Sequence, residues 1–193
     1  MGLCCKLFSC LFSIIITLGI ITLILYLVVR PSEVKSYVEA TSQLKRFDLT
    51  NNTLDYTLDI DLSIRNPNKR VSIYYDRIQA SASYDDSQFG FDSNLPKFHQ
   101  GHKNTTIIHP AFAGQQIIND SSVVDTYNKE KDLGYFNIDL TIHLKMKYKA
   151  LSFKTPTYKH DIKCNLRFHQ GQKNNPAPIE PNFVRTKCHV NFF

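Results

Sequence analysis

The chain has 193 residues and a formal net charge of +6, with 23 lysine and arginine residues against 17 aspartate and glutamate residues. An apolar N-terminal segment stands apart from the rest, which is long enough for one ordinary domain with a real core. The sequence contains no P-loop, G-x-G-x-x-G turn, G-x-S-x-G elbow or H-E-x-x-H pair. We therefore expect no enzymatic activity and no cofactor.

The first predicted element is an uncharged apolar run at residues 7–29. At about 1.5 Å per residue, a helix of roughly 23 residues extends about 34 Å, enough to cross a bilayer. A cleavable signal peptide needs only about 7–15 apolar residues and a site of small residues, whereas this run ends in Val28-Val29-Arg30-Pro31. The run predicts an uncleaved transmembrane signal-anchor helix after a short cytosolic stub at residues 1–6. A buried soluble helix, the alternative, would carry a polar stripe.

Small residues recur at every fourth position of this run, at Ser9, Ser13 and Thr17. Such a stripe lets a second transmembrane helix pack closely. Homo-oligomerisation through the stripe is one hypothesis, and a stripe without a partner is the other.

Flanking charge and other signals disagree on the orientation of the helix. Lys6 and the amino terminus stand against three cations on the other flank, which weakly favours a cytosolic C-terminal domain. Three Asn-x-Ser/Thr sequons follow the helix, and N-glycosylation occurs only in the secretory lumen; they begin at Asn51, Asn104 and Asn119. We therefore expect the C-terminal domain to lie outside the cytosol, which argues against nucleic acid as a partner.

The cysteines divide between the two sides of the helix. Cys4 and Cys5 precede it and resemble juxtamembrane S-acylation sites. Cys164 and Cys188 lie far downstream and fit a disulfide in an oxidising compartment, since both fall on the apolar phase of predicted strands. Two unpaired buried thiols are the alternative.

Apolar and polar residues alternate in three long segments, at residues 54–65, 136–148 and 158–168, and more briefly at 186–192. This period of two is typical of strands with one buried face. In residues 71–84 the apolar phase moves from odd to even positions, which predicts a bulge or a tight corner near Asp76. Shorter strands are predicted at 35–40, 45–49, 88–92 and 105–109, and a loop at 172–181.

One helix is predicted within the domain. Asp120 or Ser121 could cap a segment that ends before Gly134 and carries Val123, Val124 and Tyr127 on one side. Many alternating strands and little helix predict a mainly β fold, an antiparallel immunoglobulin- or fibronectin-like β-sandwich.

Basic residues on the polar phase of two strands are the main candidate for a binding surface. They are Lys145, Lys147 and Lys149 on one strand, and Lys159, Lys163 and Arg167 on the other. If the strands share a sheet, these side chains form a basic wall that could attract anionic lipid headgroups or acidic polysaccharides. The alternative is a solvated face that is neutralised by Asp55, Asp59 and Asp61.

Three histidines, His99, His102 and His109, lie in a loop-rich stretch, and the first two have a spacing found in metal sites. No cysteine or carboxylate partner is near them in the sequence, so zinc is weakly indicated and solvent-facing histidines are favoured. We expect no metal site.

The segment Arg65-Asn66-Pro67-Asn68-Lys69-Arg70-Val71-Ser72-Ile73-Tyr74-Tyr75-Asp76 resembles a signature of the plant NHL family. The family comprises relatives of the non-race-specific disease-resistance and harpin-induced proteins, and it carries a late-embryogenesis-abundant group 2 (LEA-2) domain. Pro67 fixes φ and Asn68 tolerates a left-handed conformation, so the triplet predicts a sharp corner between strands. The segment Leu95-Pro96-Lys97-Phe98-His99-Gln100-Gly101 and the membrane exit at residues 26–31 extend the resemblance over nearly the whole chain.

The resemblance implies a domain plan and a role. A membrane-proximal segment at residues 30–53 would precede a LEA-2-type sandwich at 54–193, with a family-like core at about 60–168. The implied protein is a non-enzymatic plasma-membrane component of plant defence or stress responses, including the pathogen-induced hypersensitive response; plasmodesmata are an alternative location. It would act through its extracellular sandwich on an unknown protein partner or as a membrane–cell-wall adhesion module.

The alternative function is a lipid- or small-ligand-binding sandwich at a membrane. It is motivated by aromatic residues on the apolar phase, namely Phe136, Tyr148, Tyr158 and Phe168. The competing interpretation of these rings is an ordinary filled core.

Overall fold

The structure is a computed structural model that describes residues 2–29, 32–150, 153–169 and 183–192. The chain forms two compact units, Met1–Ser32 and Glu33–Phe193. Helix α1 (Gly2–Val29) makes up the first unit. The hydroxyl of Thr17 donates to the carbonyl of Ser13 at 2.8 Å, so this part of the small-residue stripe bonds within its own helix. In the part of the chain whose side chains are described, no helix is long and apolar enough to cross a membrane.

The second unit is mainly β, with antiparallel pairing throughout the strands described. Its strands, in chain order, are β1 (Lys35–Val38), β2 (Gln43–Thr50), β3 (Thr53–Asp59), β4 (Leu62–Arg65), β5 (Val71–Tyr84), β6 (Ser87–Asp92), β7 (Phe98–Gln100), β8 (Thr105–Ile108), β9 (Ala111–Ile117), β10 (Tyr135–Ala150), β11 (Phe153–Lys154), β12 (Tyr158–His169), β13 (Thr186–Lys187) and β14 (His189–Phe192). Helix α2 (Ser121–Leu133) lies between β9 and β10. The predicted loop at 172–181 lies outside the described residues.

The largest sheet, here called the long sheet, has the strand order β14-β12-β10-β5-β6, with β7 and β11 paired at its margins. Its central strands carry the alternation that the sequence predicts. The predicted bulge is confirmed: Lys145 lies opposite Arg77 and Met146 lies opposite Tyr75, so Asp76 has no partner on β10. The bulge reverses the alternation of β5. Odd-numbered residues are buried before it, and the even-numbered residues Ile78 and Ala80 are buried after it.

Two smaller sheets, β13-β1-β4-β8 and β2-β3-β9, together form the facing layer. Three connections along the chain join them: β1 leads into β2, β3 into β4, and β8 into β9. The prediction of one strand over residues 54–65 is wrong, because β3 ends at Asp59 and β4 begins at Leu62. The chain segments on either side are interrupted beside this break, one between β1 and β2 and the other between β8 and β9.

Asp61 explains why the strand breaks there. Its backbone N–H donates to the Ser42 hydroxyl at 2.8 Å and its carbonyl accepts from Glu39 N–H at 2.8 Å. Its carboxylate accepts from the Thr41 hydroxyl and contacts His109 Nδ1 at 2.6 Å. The backbone at this point is therefore satisfied by a turn and a side chain instead of a continuous ladder.

The sandwich begins earlier than the sequence predicts. Residues 30–53 are expected to be a membrane-proximal segment, yet β1 and β2 lie within them and pair with β4 and β3. Val38 and Phe47 from these two strands are buried in the common core. The compact unit accordingly starts at Glu33.

The C-terminal segment changes sheets at Cys188. Residues 186–192 are predicted as one strand, but β13 pairs with β1 in the facing layer and β14 pairs with β12 in the long sheet. Cys188 lies between them, donates its N–H to the Ser36 carbonyl at 3.0 Å and forms a disulfide with Cys164 on β12. The bond therefore holds the crossing segment against the long sheet.

Helix α2 has the predicted ends and the predicted buried side. Asp120 is its N-cap and accepts from Ser122 N–H at 2.9 Å, which lowers the pKa of this carboxyl. Gly134 ends the helix with a left-handed φ of 77°. Glu130 is buried as well and accepts from the Tyr84 hydroxyl at 2.8 Å and from Asn137 N–H at 3.1 Å, so a polar group fixes the helix to the long sheet.

An aromatic cluster fills the space between the layers. Phe47 of β2 lies 5.1 Å from the Tyr84 ring, 5.6 Å from Phe89 and 4.9 Å from Phe136, all on the long sheet. These contacts make the assembly a two-layer sandwich with one core. Its closer likeness to an immunoglobulin or fibronectin domain stays a prediction.

We expect substitution of Gly90 by Ala to destabilise the sandwich where β6 approaches β9. A Cβ at this position would lie 2.8 Å from Cδ1 and 3.1 Å from Cβ of Phe112, so the Phe112 ring must move. The expected loss in the free energy of unfolding is about 1–3 kcal/mol. Gly101→Ala is the matched control, since its Cβ would meet nothing within 4 Å. Equal denaturant midpoints for both variants would contradict this close contact.

The Asp61 carboxyl should make stability depend on acid pH. The Thr41 hydrogen bond, followed by the interactions with His109, lowers the pKa of Asp61 in the folded chain. Its stabilising contribution is therefore present above the unfolded value of about 3.9 and is lost as the pH falls through the lower folded value. Asp61→Asn should flatten the fall of unfolding free energy in this range, measured by denaturant titration at several pH values. Gln115→Ala, at an exposed position on β9 whose side chain does not titrate, should leave the slope unchanged.

Candidate functional site

The NHL-like motif residues are placed largely in the interior. Asn66 has no exposed surface, and its side-chain amide donates to the carbonyls of Val71 and Gly101, each at 2.9 Å. Its side-chain oxygen accepts from the backbone and side-chain N–H groups of Asn68 at 3.0 and 2.9 Å. Pro67 lies between them in the predicted corner, so the triplet joins β4, β5 and the 100–104 loop through satisfied buried bonds.

Gln100 extends this network across the sandwich. It is fully buried on β7, accepts from the Tyr75 hydroxyl at 3.1 Å, and donates to the Ile64 carbonyl at 2.7 Å and to the Thr106 hydroxyl at 3.2 Å. Burial raises the pKa of Tyr75 far above its usual range, so the phenol stays a donor. The Tyr75 ring stacks on Phe98 with ring centres 4.3 Å apart.

The remaining motif residues face the exterior of the long sheet. The ring of Tyr74 packs on His99 at 4.3 Å and lies 4.9 Å from the Lys154 ammonium. The Asp76 carboxylate pairs with Lys147 at 2.7 Å. The structure therefore brings both family-like blocks together, and most of their bonds hold the fold.

The predicted basic residues do share one face of the long sheet. In register across neighbouring strands, Arg77 of β5 lies opposite Lys145 of β10, and Lys145 lies opposite Lys159 of β12. We call these three residues the cation row. A second pair of cations, Lys149 and Lys154, lies opposite each other farther along β10.

Internal partners account for only part of this positive charge. Lys147 pairs with Asp76, and Arg167 donates to Asn137 at 3.1 Å and covers the Tyr135 ring at 4.5 Å. The expected neutralisation by Asp55, Asp59 and Asp61 is not observed, because these residues belong to the facing layer or its bend. There Asp59 pairs with Lys45 and Asp61 with His109.

Arg77 was absent from the predicted wall. Simple alternation from Val71 would bury it, and the bulge at Asp76 places it outward, where it is exposed. The shift of the apolar phase in residues 71–84 indicates that Arg77 faces outward. That Arg77 lies opposite Lys145 follows only from the pairing register of β5 and β10. Gln100 and Glu130, two buried polar residues of the site region and of α2, had no comparable sequence signal.

An open depression of about 290 Å³ lies farther along the same face. Asp86, Asp139, Thr141 and Lys163 are among its lining residues. Burial, and then the charge of Asp86, raises the pKa of Asp139. Mixed charge and an open shape make this depression a polar continuation of the cationic face.

The proposed modification sites are accessible where the structure describes them. Asn51, Asn104 and Asn119 are all exposed, and Asn51 lies with Asn52 in a left-handed β2–β3 turn. Glycosylation of these sequons stays a prediction. Cys4 and Cys5 fall within α1, and their side chains lie outside the described residues, so S-acylation also stays a prediction.

The histidines are dispersed. His99 packs on Tyr74, whereas His109 lies beside Asp61 at the bend. Among the described residues, no group of three or more His, Cys, Asp or Glu side chains is arranged to hold a metal ion.

Most of the rings that suggested a ligand-binding sandwich are packed against neighbours. Phe136 is buried in the cluster around Phe47, and Phe168 stacks on Phe183 at 4.7 Å. Tyr148 contacts His160 at 3.4 Å; burial raises the pKa of Tyr148 to about 12 and lowers that of His160. Tyr158 is 42% exposed at the start of β12. This arrangement agrees with a filled core.

The family follows from comparison with known proteins. A family model described as late embryogenesis abundant protein matches residues 61–164. NDR1/HIN1-like protein 3 of Arabidopsis thaliana is 36% identical over 187 residues, covering 96% of this chain and 79% of the relative. The chain belongs to the NHL family and carries a LEA-2 domain. NDR1/HIN1-like protein 10 of the same plant is 38% identical, with 93% and 80% of the two chains covered, and NDR1/HIN1-like protein 2 is 38% identical, with 86% and 69% covered.

The LEA-2 match begins at the bend residue Asp61 and ends at the disulfide residue Cys164. It includes the motif network and the whole cation row. A solved protein structure from Archaeoglobus fulgidus aligns with 74% of this chain and 98% of its own at a TM-score of 0.29 and 8% identity, a similarity too low to bear on the fold.

Removal of the Asn66 amide should weaken the LEA-2 domain strongly. Asn66→Ala leaves the carbonyls of Val71 and Gly101 without this donor, and the expected loss is about 3 kcal/mol of unfolding free energy. Asn165→Ala, at an exposed position on β12, should stay within about 0.5 kcal/mol of the parent. Denaturant unfolding of the full-length protein in detergent micelles measures both. An Asn66→Ala midpoint equal to that of Asn165→Ala would show that the motif does not hold the fold.

Proposed function

We propose that this NHL protein is a non-enzymatic, membrane-anchored component of plant defence or stress responses. It acts at the plasma membrane through an extracellular β-sandwich, as an interaction or membrane–cell-wall adhesion module. The observation that carries the proposal is the cationic outer face of the LEA-2 domain, on a chain whose first unit is an apolar helix.

Helix α1 supports the anchor. It has 28 residues, and its segment 7–29 contains no charged residue. Large apolar side chains of its described part are exposed, including Leu11 at 60% and Ile15 at 66%. Exposed side chains of this kind are stable only in an apolar surrounding.

The extracellular placement rests on several features of the second unit. The Cys164–Cys188 disulfide is typical of an oxidising compartment. The three sequon asparagines are exposed and can accept a glycan without unfolding the sandwich. Since flanking charge points weakly the other way, topology is the assumption to test first.

Topology is tested with the full chain in sealed microsomes. We expect glycosidase treatment to increase the mobility of the protein, and protease added outside to spare the second unit. A triple variant, Asn51→Gln, Asn104→Gln and Asn119→Gln, should lose the shift and keep the protection. An unshifted chain whose second unit is digested would reverse the orientation. Release of the protein by alkaline carbonate would contradict the anchor.

The defence role is tested genetically. Loss of the gene should weaken pathogen-induced cell death or resistance, and re-expression should restore them. Unchanged cell death and resistance in plants that also lack the most similar NHL genes would contradict the role. The lipid- or small-ligand-binding alternative is weaker because its rings are packed, and lipid detected by mass spectrometry of the purified protein would revive it.

A further inference from the structure

The cation row places like charges directly opposite one another. Arg77, Lys145 and Lys159 occupy three neighbouring strands, which lie about 4.8 Å apart, so the row extends about 10 Å across the sheet. Like charges in cross-strand pairs destabilise a sheet. The Lys149 and Lys154 pair repeats the arrangement at the end of β10.

The described part of the chain does not neutralise the row. The carboxylates that neighbour the row along β5 and β12 are engaged elsewhere: Asp76 pairs with Lys147 at 2.7 Å and Asp161 with His143 at 2.8 Å. Among the described residues, Arg77, Lys145 and Lys159 have no carboxylate within ion-pair distance. An external anion would therefore remove a repulsion that the fold leaves in place.

The surroundings of the row indicate the chemistry of that anion. In register beside it on the outward phase lie Gln79, His143 and Asp161, which are polar and suit a hydrated partner. Phe153 is 79% exposed and lies opposite Ala150. Because successive residues of β10 point to opposite faces, Phe153 is not on the face that carries Lys149. Phe91, also exposed, is level with Ser81, four residues and about 13 Å from Arg77. A lipid surface would be expected to meet apolar side chains beside the cations.

We propose that the cation row binds a linear carboxylated polysaccharide, which lies across β5, β10 and β12. Such a polymer presents carboxylates in a line, and lysine and arginine pair with them through charge-assisted hydrogen bonds. Its hydroxyl groups suit the polar side chains of the next rows. The inference rests on the proposed extracellular placement, because it names the partner class for that same surface.

Binding is measured with full-length protein in neutral detergent micelles and de-esterified polygalacturonate as the probe. Fully methyl-esterified polygalacturonate is the uncharged control polymer. We expect binding to the charged polymer only, and a weaker affinity at high salt, since the screening length falls from about 10 Å at 0.1 M to about 3 Å at 1 M. Lys145→Gln with Lys159→Gln should reduce affinity about tenfold, which corresponds to about 1.4 kcal/mol.

A matched double variant separates the row from net charge. Lys45→Gln with Arg46→Gln removes the same two charges from β2, in the facing layer, where each cation contacts an aspartate. This variant should keep the parent affinity. Equal loss in both double variants would overturn the proposal, because total charge would then explain the binding.

A stability readout distinguishes a lost site from a damaged fold. Lys145→Gln with Lys159→Gln should unfold at the same or a higher temperature than the parent, since repulsion in the row is removed. Polygalacturonate should raise the unfolding temperature of the parent and not that of this variant. A lower unfolding temperature of the free variant would contradict the repulsion on which the inference depends.

Vesicles provide the test of the competing partner. The vesicles consist of neutral lipid with about 25% anionic lipid. Binding to these vesicles and not to polygalacturonate would overturn the polysaccharide in favour of a membrane. The binding assay does not depend on orientation in the cell. If the microsome experiment places the second unit in the lumen and polygalacturonate does not bind, only the polysaccharide partner is rejected. If polygalacturonate binds and the second unit proves cytosolic, only the proposed placement is rejected.

Discussion

The sandwich depends on two buried amides that must be fully hydrogen-bonded. Asn66 joins the end of β4 to the start of β5 and to the 100–104 loop, and Gln100 joins β7 to the backbone of β4 in the opposite layer. A buried amide without partners would cost more than the bond contributes, so these contacts specify one arrangement of the corner. The corner in turn fixes where β5 begins and which of its residues enter the core. The residues of the family-like motif therefore serve mainly to hold the fold, and they affect the binding surface only by fixing the position of β5.

The bulge at Asp76 converts this internal order into a surface. Up to Tyr75 the odd-numbered residues of β5 are buried, and beyond the bulge the even-numbered residues Ile78 and Ala80 take their place. Without the bulge, Arg77 would enter the core, where an unpaired cation is prohibitively unstable. With it, Arg77 joins Lys145 and Lys159 on the outer face. One extra residue in one strand thus creates the third member of the cation row.

Period-two alternation was enough to predict the mainly β fold, the long strands β5, β10 and β12 and the bulge, because one buried face imposes that pattern. Helix α2 was predictable from its cap and its glycine. The break at Asp61 was not, since alternation continues through residues 54–65 and only contacts with Thr41, Ser42 and His109 interrupt the ladder. Strand β9 was missed because Phe112 is its one buried side chain. For the cation row, the sequence predicts that Lys145 and Lys159 face outward, because alternation shows which face of a strand a residue occupies. It does not predict that they lie opposite each other and Arg77, because the pairing register of the strands decides that.

The disulfide gives the cationic face a mechanical connection to the rest of the sandwich. Cys164 lies on β12, the strand that carries Lys159, and its partner Cys188 lies where the chain passes from β13 in the facing layer to β14 in the long sheet. A load applied to the outer face of β12 is therefore shared with β1 through β13 and does not rest on the β10–β12 ladder alone. Backbone hydrogen bonds at a sheet margin open locally at low cost, whereas this cross-link does not. For a domain proposed to connect a membrane to an extracellular polymer, that connection makes the margin of the long sheet a suitable place for the binding surface.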